Sequence, residues 1–232
     1  MRDMLLQMDE KELDAFEEAI DRGAFAPTEE EWKKLAIAYD LNYIAEFTDG
    51  TVEVPDEVKL VYAAIRKNGY RELHRKMRWL LACLITFSYI YVTAPIKILY
   101  RMYKQQADLA VTYEELLSLL KNQPDRFNPC EIIGDKLVVK EMLEDELYRK
   151  IEEHQSDMAY YIPTVDEILA YKENGYPACE KAYADLWGFY KNDLNFEADK
   201  CDQLCVQAFQ VFISGRMPSH YIKIVESEKI VF

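Results

Sequence analysis

Glycine and proline are scarce in this chain, with 7 and 8 residues among 232. Half of the residues are apolar, which excludes a disordered or low-complexity protein, and the scarcity of helix-breaking residues favours a mostly helical one. Basic charge is also in deficit, since 28 Lys and Arg residues stand against 42 Asp and Glu residues, a formal net charge of −14. A generally basic nucleic-acid coat protein is therefore excluded.

Cysteine is sparse as well, with five residues at irregular spacing and no secretory signal before them. An odd, scattered set does not form the disulfide framework of a secreted protein, so we expect a cytoplasmic location. One uncharged stretch of membrane-spanning length runs over residues 79–96. Its polar Thr and Ser residues and its terminal proline favour a buried core helix over a membrane span.

The residue patterns of common catalytic and metal sites are also missing. There is no phosphate-binding loop, no dinucleotide fingerprint and no zinc-protease motif. Cys201 and Cys205 lie one helical turn apart, but a structural zinc needs four properly spaced ligands. His74, between charged residues, is predicted to be a solvated surface group. We therefore expect no metal site, no cofactor and no enzymatic activity.

Charge divides the chain into three segments. Residues 1–57 carry a balance of −12, residues 58–139 carry +6, and residues 140–232 carry −8. This asymmetry predicts three domains: an acidic helical unit with a β-hairpin, a basic central unit, and an acidic helical unit.

Local signals predict the elements of the first segment. Asp9-x-x-Glu12 and Thr28-x-x-Glu31 are capping boxes that begin two helices, and Gly23 ends the first of them. Two short alternating runs then flank an Asp49-Gly50 turn, which is typical of a hairpin.

The middle segment predicts three helices and a hairpin. Apolar residues recur at helical spacing from Tyr70 to Val92, Pro95 begins a second helix, and Thr112-x-x-Glu115 caps a third. Two β-rich runs joined by Gly134-Asp135 follow. This is the element order of a winged helix.

The last segment predicts helices throughout, including one capped by Thr164-x-x-Glu167. The fold class is therefore mostly α with small β-hairpins: a winged-helix-like central unit with helical N- and C-terminal extensions.

Three parts of the sequence carry a family resemblance. They are the run over residues 39–55, the helical middle segment with its hairpin, and the stretch YYIPTVDEILAYKENGYPACEKAYADLWGFY. Together they resemble the N-terminal regions of uncharacterised SEC-C-motif proteins of Firmicutes, some of which begin with a segment similar to the Rho N-terminal domain. The resemblance covers residues 39–232 and implies a bacterial protein of similar fold. The zinc knuckle of that family, of CxCxSG type, is missing from this sequence, so the resemblance implies no zinc function.

A basic stripe in the middle segment is the candidate binding feature. Its cations fall on outward faces of two successive predicted helices: Lys67, Arg71, Arg75 and Arg78 on the first, and Lys97, Arg101 and Lys104 on the second. They have two possible destinations, which are the chain's own acidic flanks or an external partner. We favour the partner, because four cations in register exceed what internal charge pairing needs.

These observations predict a non-enzymatic protein-interaction or regulatory module whose partner is another protein. A nucleic-acid-binding regulator that uses the stripe over residues 66–104 is the alternative. Duplex binding through the third helix is disfavoured because that helix begins Tyr113-Glu114-Glu115, and carboxylates repel phosphate. A weaker alternative is that the acidic surface imitates nucleic acid.

Overall fold

A computed structural model describes residues 1–67, 69–144, 147–155 and 159–213, together with Val225. The chain divides into two compact units. The first comprises Met1–Leu80 and Leu117–Pro124, and the second comprises Leu81–Leu116 and the chain from Asp125 onward. The three charge-defined segments stay a prediction about domains.

The first unit contains helices and one small hairpin. After a 3-10 turn at Met4–Gln7, its elements are α1 (Glu10–Arg22), α2 (Glu29–Asp40), β1 (Ala45–Glu46), β2 (Val52–Glu53), α3 (Asp56–Arg66), the first half of α4 (Tyr70–Ile90) and the end of α6 (Tyr113–Lys121).

The helix starts follow from local capping chemistry. The side chain of Asp9 accepts a hydrogen bond from the backbone N–H of Glu12, and the Glu12 carboxylate accepts one from the backbone N–H of Asp9. Thr28 and Glu31 repeat this exchange at α2. Each exchange satisfies backbone donors that the first turn of a helix leaves unpaired, so both predicted capping boxes of this unit are confirmed.

The predicted hairpin of the first unit is present in antiparallel register. Ala45 lies opposite Glu53 and Glu46 lies opposite Val52. Gly50 adopts a φ of 80°, which explains why the turn needs glycine there. Behind the hairpin, Phe16, Val52 and other apolar side chains form a dry core.

The second unit carries the remaining elements. They are the second half of α4, β3 (Thr93–Pro95), α5 (Ile96–Tyr103), the start of α6, β4 (Cys130–Ile133), β5 (Lys136–Val139), α7 (Leu147–Gln155), α8 (Val165–Asn174), α9 (Lys181–Gly188) and α10 (Ala198–Ile213). Thr112 with Glu115, and Thr164 with Glu167, form the predicted capping boxes of α6 and α8. The mostly α fold with small hairpins is confirmed.

One strand of the second unit was not predicted. The predicted helix over Tyr70–Val92 ends at Ile90, and Thr93–Pro95 then pairs antiparallel with β5, with Ala94 opposite Leu137. The sheet order is β3-β5-β4. β3 lies at an edge, where a proline is tolerated because no ladder hydrogen bond is required of it.

The core of the second unit is built mainly from helices. Leu84 and Phe87 on α4 are fully buried, as the apolar second half of that helix predicts. Cys201, Leu204 and Cys205 on α10 are also fully buried.

The predicted last short helix after Gly215 lies outside the described residues. In the part of the chain that the structure describes, no helix is long and apolar enough to cross a membrane.

Candidate interaction surface on the basic helices

The first cations of the stripe face carboxylates of α1 within the first unit. Arg71 donates from Nε and Nη2 to the two oxygens of Glu17, at 3.2 and 2.6 Å, and its Nη2 lies 2.7 Å from Asp14. Arg75 Nε lies 2.9 Å from Glu10. Glu10, Asp14 and Glu17 are spaced by four and three residues, so α1 presents one acidic face to the arginines of α4.

Glu17 is the centre of this network. Its side chain is only 15 % exposed, and the hydroxyl of Tyr62 also donates to it. Burial by itself raises the pKa of Glu17, but the hydrogen bonds from Arg71 and Tyr62, with the charges of Arg71 and Arg66, together outweigh it and leave the pKa below its usual value. The same hydrogen bond raises the pKa of Arg71. Both groups therefore stay charged throughout the physiological range.

Arg78 and His74 bind the N-terminal 3-10 turn. Arg78 Nη1 donates to the carbonyl of Leu6 at 2.7 Å, and His74 Nε2 lies 3.0 Å from the carbonyl of Leu5. The carbonyl of Leu5 also accepts from the backbone N–H of Met8, so the two side chains add donors at the end of this turn. Because a carbonyl only accepts, Nε2 of His74 carries the proton.

The sequence prediction for His74 is wrong. The residue is fully buried rather than solvated, and burial lowers its pKa. A signal for this was present in the sequence: Tyr70, His74, Met77 and Leu81 recur at helical spacing, and all four are buried. The neighbouring charges in the sequence lie on other faces of α4.

The structure therefore separates the predicted stripe into two kinds of residue. Arg71, Arg75 and Arg78 lie against α1 or the N-terminal turn, which is the outcome expected when the acidic flank takes the cations. Lys67, just beyond α3, is exposed and forms no ion pair with any residue that the structure describes.

The remaining cations lie on α5 in the second unit. Lys97, Arg101 and Lys104 are exposed, whereas the opposite face of α5 is buried through Leu99 and Met102. Across residues 1–67, 69–144, 147–155 and 159–213, none of the three cations forms an ion pair. They are spaced by four and three residues and form one outward row.

Aromatic rings lie among these cations. Lys104 Nζ is 5.5 Å from the centre of the Tyr100 ring, a cation–π contact. The Tyr100 ring meets the Tyr113 ring edge to face at 5.4 Å, and its hydroxyl donates to the carbonyl of Val111 at 3.3 Å. These contacts hold Tyr100 in place between the cations. We call Lys97, Tyr100, Arg101 and Lys104 the α5 surface.

The cysteine pair is part of the core. The Cys201 thiol lies 3.7 Å from the carbonyl of Phe196, and burial raises the pKa of Cys205 to about 11. A metal ligand must be a thiolate, so this environment opposes metal binding. Within the described residues, no group of three or more His, Cys, Asp and Glu side chains could hold a metal ion.

No protein-family model, curated protein or solved structure matches this chain. The resemblance to the SEC-C-motif proteins stays a prediction from the sequence.

Proposed function

We propose that this chain is a non-enzymatic protein-interaction module and that its α5 surface binds an acidic face of a partner protein. The observation that carries the proposal is the row formed by Lys97, Arg101 and Lys104. These cations have no carboxylate partner among the described residues, although the chain has a net charge of −14. Carboxylates of α1 pair with Arg71 and Arg75 of α4, and no described carboxylate forms an ion pair with the cations of α5.

The composition of the α5 surface supports a protein partner. Protein interfaces are enriched in Tyr and Arg, and their strongest contacts are rigid aromatic or guanidinium groups. Tyr100 is held by Tyr113 and by its hydrogen bond to Val111, so little of its conformational freedom is lost on binding.

The topology supports a winged-helix-like arrangement of this region. The order α4, β3, α5, α6, β4, β5 and the sheet order β3-β5-β4 are those of three helices with a strand between the first two and a hairpin after the third. In DNA-binding proteins of this plan the third helix enters the major groove. Here α6 begins with Glu114 and Glu115, both exposed, which oppose phosphate.

A nucleic-acid-binding regulator is the second candidate, because the same three cations would neutralise phosphates. Its footprint would be smaller than the sequence predicts, since Arg71, Arg75 and Arg78 already have partners within the first unit. The acidic nucleic-acid mimic has less support, because Glu10, Asp14 and Glu17 are engaged by those arginines.

The experiment compares three proteins. One is the unchanged chain, the second carries Lys97→Ala, Arg101→Ala and Lys104→Ala, and the third carries Lys11→Ala, Lys33→Ala and Lys34→Ala as a control with the same loss of charge. Each is used as bait in an extract of the native host, and each is titrated with a labelled DNA duplex and a labelled single-stranded RNA at low and moderate salt.

We expect the unchanged chain and the control to retain the same host protein and the α5 variant to lose it. Binding of the DNA or RNA probe that falls steeply with salt and is lost only in the α5 variant would favour the nucleic-acid regulator instead. A host protein retained equally by all three baits would contradict the role of the α5 surface.

A further inference from the structure

The outer face of α3 in the first unit is apolar where a surface helix is normally polar. Leu60 is 73 % exposed and Val61 is 49 % exposed, and Ala63 and Ala64 are exposed beside them. The opposite face of the helix enters the core through Tyr62. Packing within the first unit therefore does not explain the apolar outer face.

The two ends of this outer face carry opposite charges. Glu57 lies one turn before Leu60, and Lys67 lies one turn after Ala64, so the four positions share one side of the helix. The backbone of Lys67 is still helical, with φ −57° and ψ −20°. Glu57 and Lys67 are both exposed, and neither forms an ion pair among the residues that the structure describes.

A groove adjoins this face within the first unit. It has a volume of about 410 Å³ and is lined by Arg2, Val61, Ala64, Ile65, Tyr70 and Leu73. Val61 and Ala64 belong both to the outer face of α3 and to the wall of the groove. A large apolar side chain placed over Ala64 would therefore have space beside it to fill.

We propose that a second copy of this chain docks on the outer face of α3, with the two α3 helices antiparallel. The twofold axis crosses each helix at the level of residue 62 along its length, on the face opposite the buried Tyr62 side chain. In this register Glu57 lies opposite the partner's Lys67, and Leu60 lies opposite the partner's Ala64. The symmetry repeats both contacts. Each Leu60 then fills the groove of the other copy, and each free charge gains an opposite one.

The face is complementary to itself, which identifies the occupant. From N- to C-terminus it presents an acid, large apolar residues, small residues and a base. Reversing this order places acid against base and large against small. A parallel pair would instead place Glu57 beside the partner's Glu57, and the like charges would repel.

This dimer is independent of the proposed function. It uses α3 in the first unit, whereas the proposed function uses α5 in the second. Failure of one therefore leaves the other unchanged.

Sedimentation equilibrium of the full chain, from micromolar to near-millimolar concentration, tests the dimer. We expect the average mass to rise from 27.3 kDa toward twice that value. Leu60→Lys should stay at the monomer mass at every concentration. The matched control is Phe47→Lys, which adds the same charge at another exposed apolar residue of the first unit and should dimerise like the unchanged chain.

Three results would overturn the proposal. They are an unchanged chain that stays monomeric throughout, a dimer that Leu60→Lys leaves intact, and an assembly that grows beyond two copies. Circular dichroism of each variant checks that it is folded. We expect Leu60→Lys to fold, because the side chain of Leu60 is exposed.

A charge exchange tests the antiparallel register. Glu57→Lys places like charges opposite each other twice in the dimer, and we expect it to weaken association by roughly tenfold at low salt. The double variant Glu57→Lys with Lys67→Glu restores opposite charges across the axis and should return the affinity to within about threefold of the unchanged chain. A double variant that associates no better than Glu57→Lys alone would show that the register is wrong.

Discussion

Two rows of cations in this molecule have the same size and the same helical spacing. One consists of Arg71, Arg75 and Arg78 on α4, and the other of Lys97, Arg101 and Lys104 on α5. Their surroundings differ. Each arginine of α4 contacts an acidic side chain or a backbone carbonyl of the N-terminal region. The cations of α5 have no carboxylate within ion-pair distance among the described residues.

The comparison shows that helical spacing alone does not decide whether a row of cations pairs within the chain or stays available to a partner. α1 carries Glu10, Asp14 and Glu17 at the spacing of the α4 arginines, so the two rows match. The residue type differs too, because the guanidinium of Arg71 can form the two-bond contact to Glu17, whereas a lysine is a strongly hydrated point charge. An arginine row next to an acidic helix favours internal pairing, and the mainly lysine row of α5 stays in solvent.

The largest expected loss of stability comes from removing a buried apolar side chain. We expect Leu84→Ala, in the fully buried half of α4, to lower the free energy of unfolding by about 2 to 5 kcal/mol. Leu60→Ala, at a side chain that is 73 % exposed, should change the free energy of unfolding by less than about 0.5 kcal/mol. Urea unfolding followed by circular dichroism measures both. Equal losses would mean that the burial assigned to the two positions is wrong.

Removal of Arg71 should be the largest effect among the cations. Arg71→Ala leaves the mostly buried Glu17 without its main partner, and we expect a loss of about 1 to 3 kcal/mol. Arg101→Ala removes the same side chain from the α5 surface and should change stability by less than about 0.5 kcal/mol.

A double-mutant cycle assigns the Arg71 effect to its pair. With Glu17→Gln, we expect a coupling energy above about 1 kcal/mol at neutral pH. A coupling near zero would mean that Arg71 stabilises the unit through packing of its methylene groups and not through Glu17.

The buried His74 predicts that the stability of the first unit depends on pH. Burial, with the nearby charges of Arg78 and Arg71, lowers its pKa below the ordinary value of 6.5, although the hydrogen bond to Leu5 partly opposes this. The unfolded chain therefore binds the proton more readily, and stability falls as the pH drops through about 6.5.

Chemical unfolding between pH 8 and pH 5 tests this dependence against His74→Gln, whose amide can still donate to the carbonyl of Leu5. The difference in stability between the two proteins should be constant above about pH 7 and should shift in favour of the variant below it. The lowered pKa of Glu17 acts in a separate window, since its stabilisation is lost only as the pH falls below its usual value of 4.5. A difference that stays constant down to pH 5 would contradict the burial of His74.

The smallest expected effect is on the α5 surface. The variant with Lys97→Ala, Arg101→Ala and Lys104→Ala should unfold within about 0.5 kcal/mol of the unchanged chain, because none of the three side chains has an ion pair to lose among the described residues. A loss comparable with that of Arg71→Ala would show that an acidic segment of the chain pairs with these cations.

Much of the fold could be predicted because its signals are local. Four capping boxes and two hairpins each depend on residues only a few positions apart, and all six are present. The burial of Leu84 and Phe87 follows from the absence of charge around that half of α4. β3 was missed because three residues next to a long apolar helix carry no alternation of their own.

Less of the candidate site could be predicted. The sequence predicts the outward orientation of the row on α5, since Ile96, Leu99 and Tyr103 require the opposite face to be buried, and all three are buried. The partners of Arg71 and Arg78 lie more than fifty residues away in sequence, and His74 is likewise paired with a residue sixty-nine positions away. No local pattern links such residues.

The sequence by itself therefore determined the helices, their ends, the two hairpins and the faces on which charge lies, because interactions between residues three or four apart, or across a tight turn, specify these features. Only the tertiary structure decided that Arg71 and Arg75 of α4 pair with α1, that His74 is buried beneath the N-terminal turn, and that the outer face of α3 stays uncovered within its unit. These outcomes depend on which helices lie side by side, and that choice is made by packing the whole core at once.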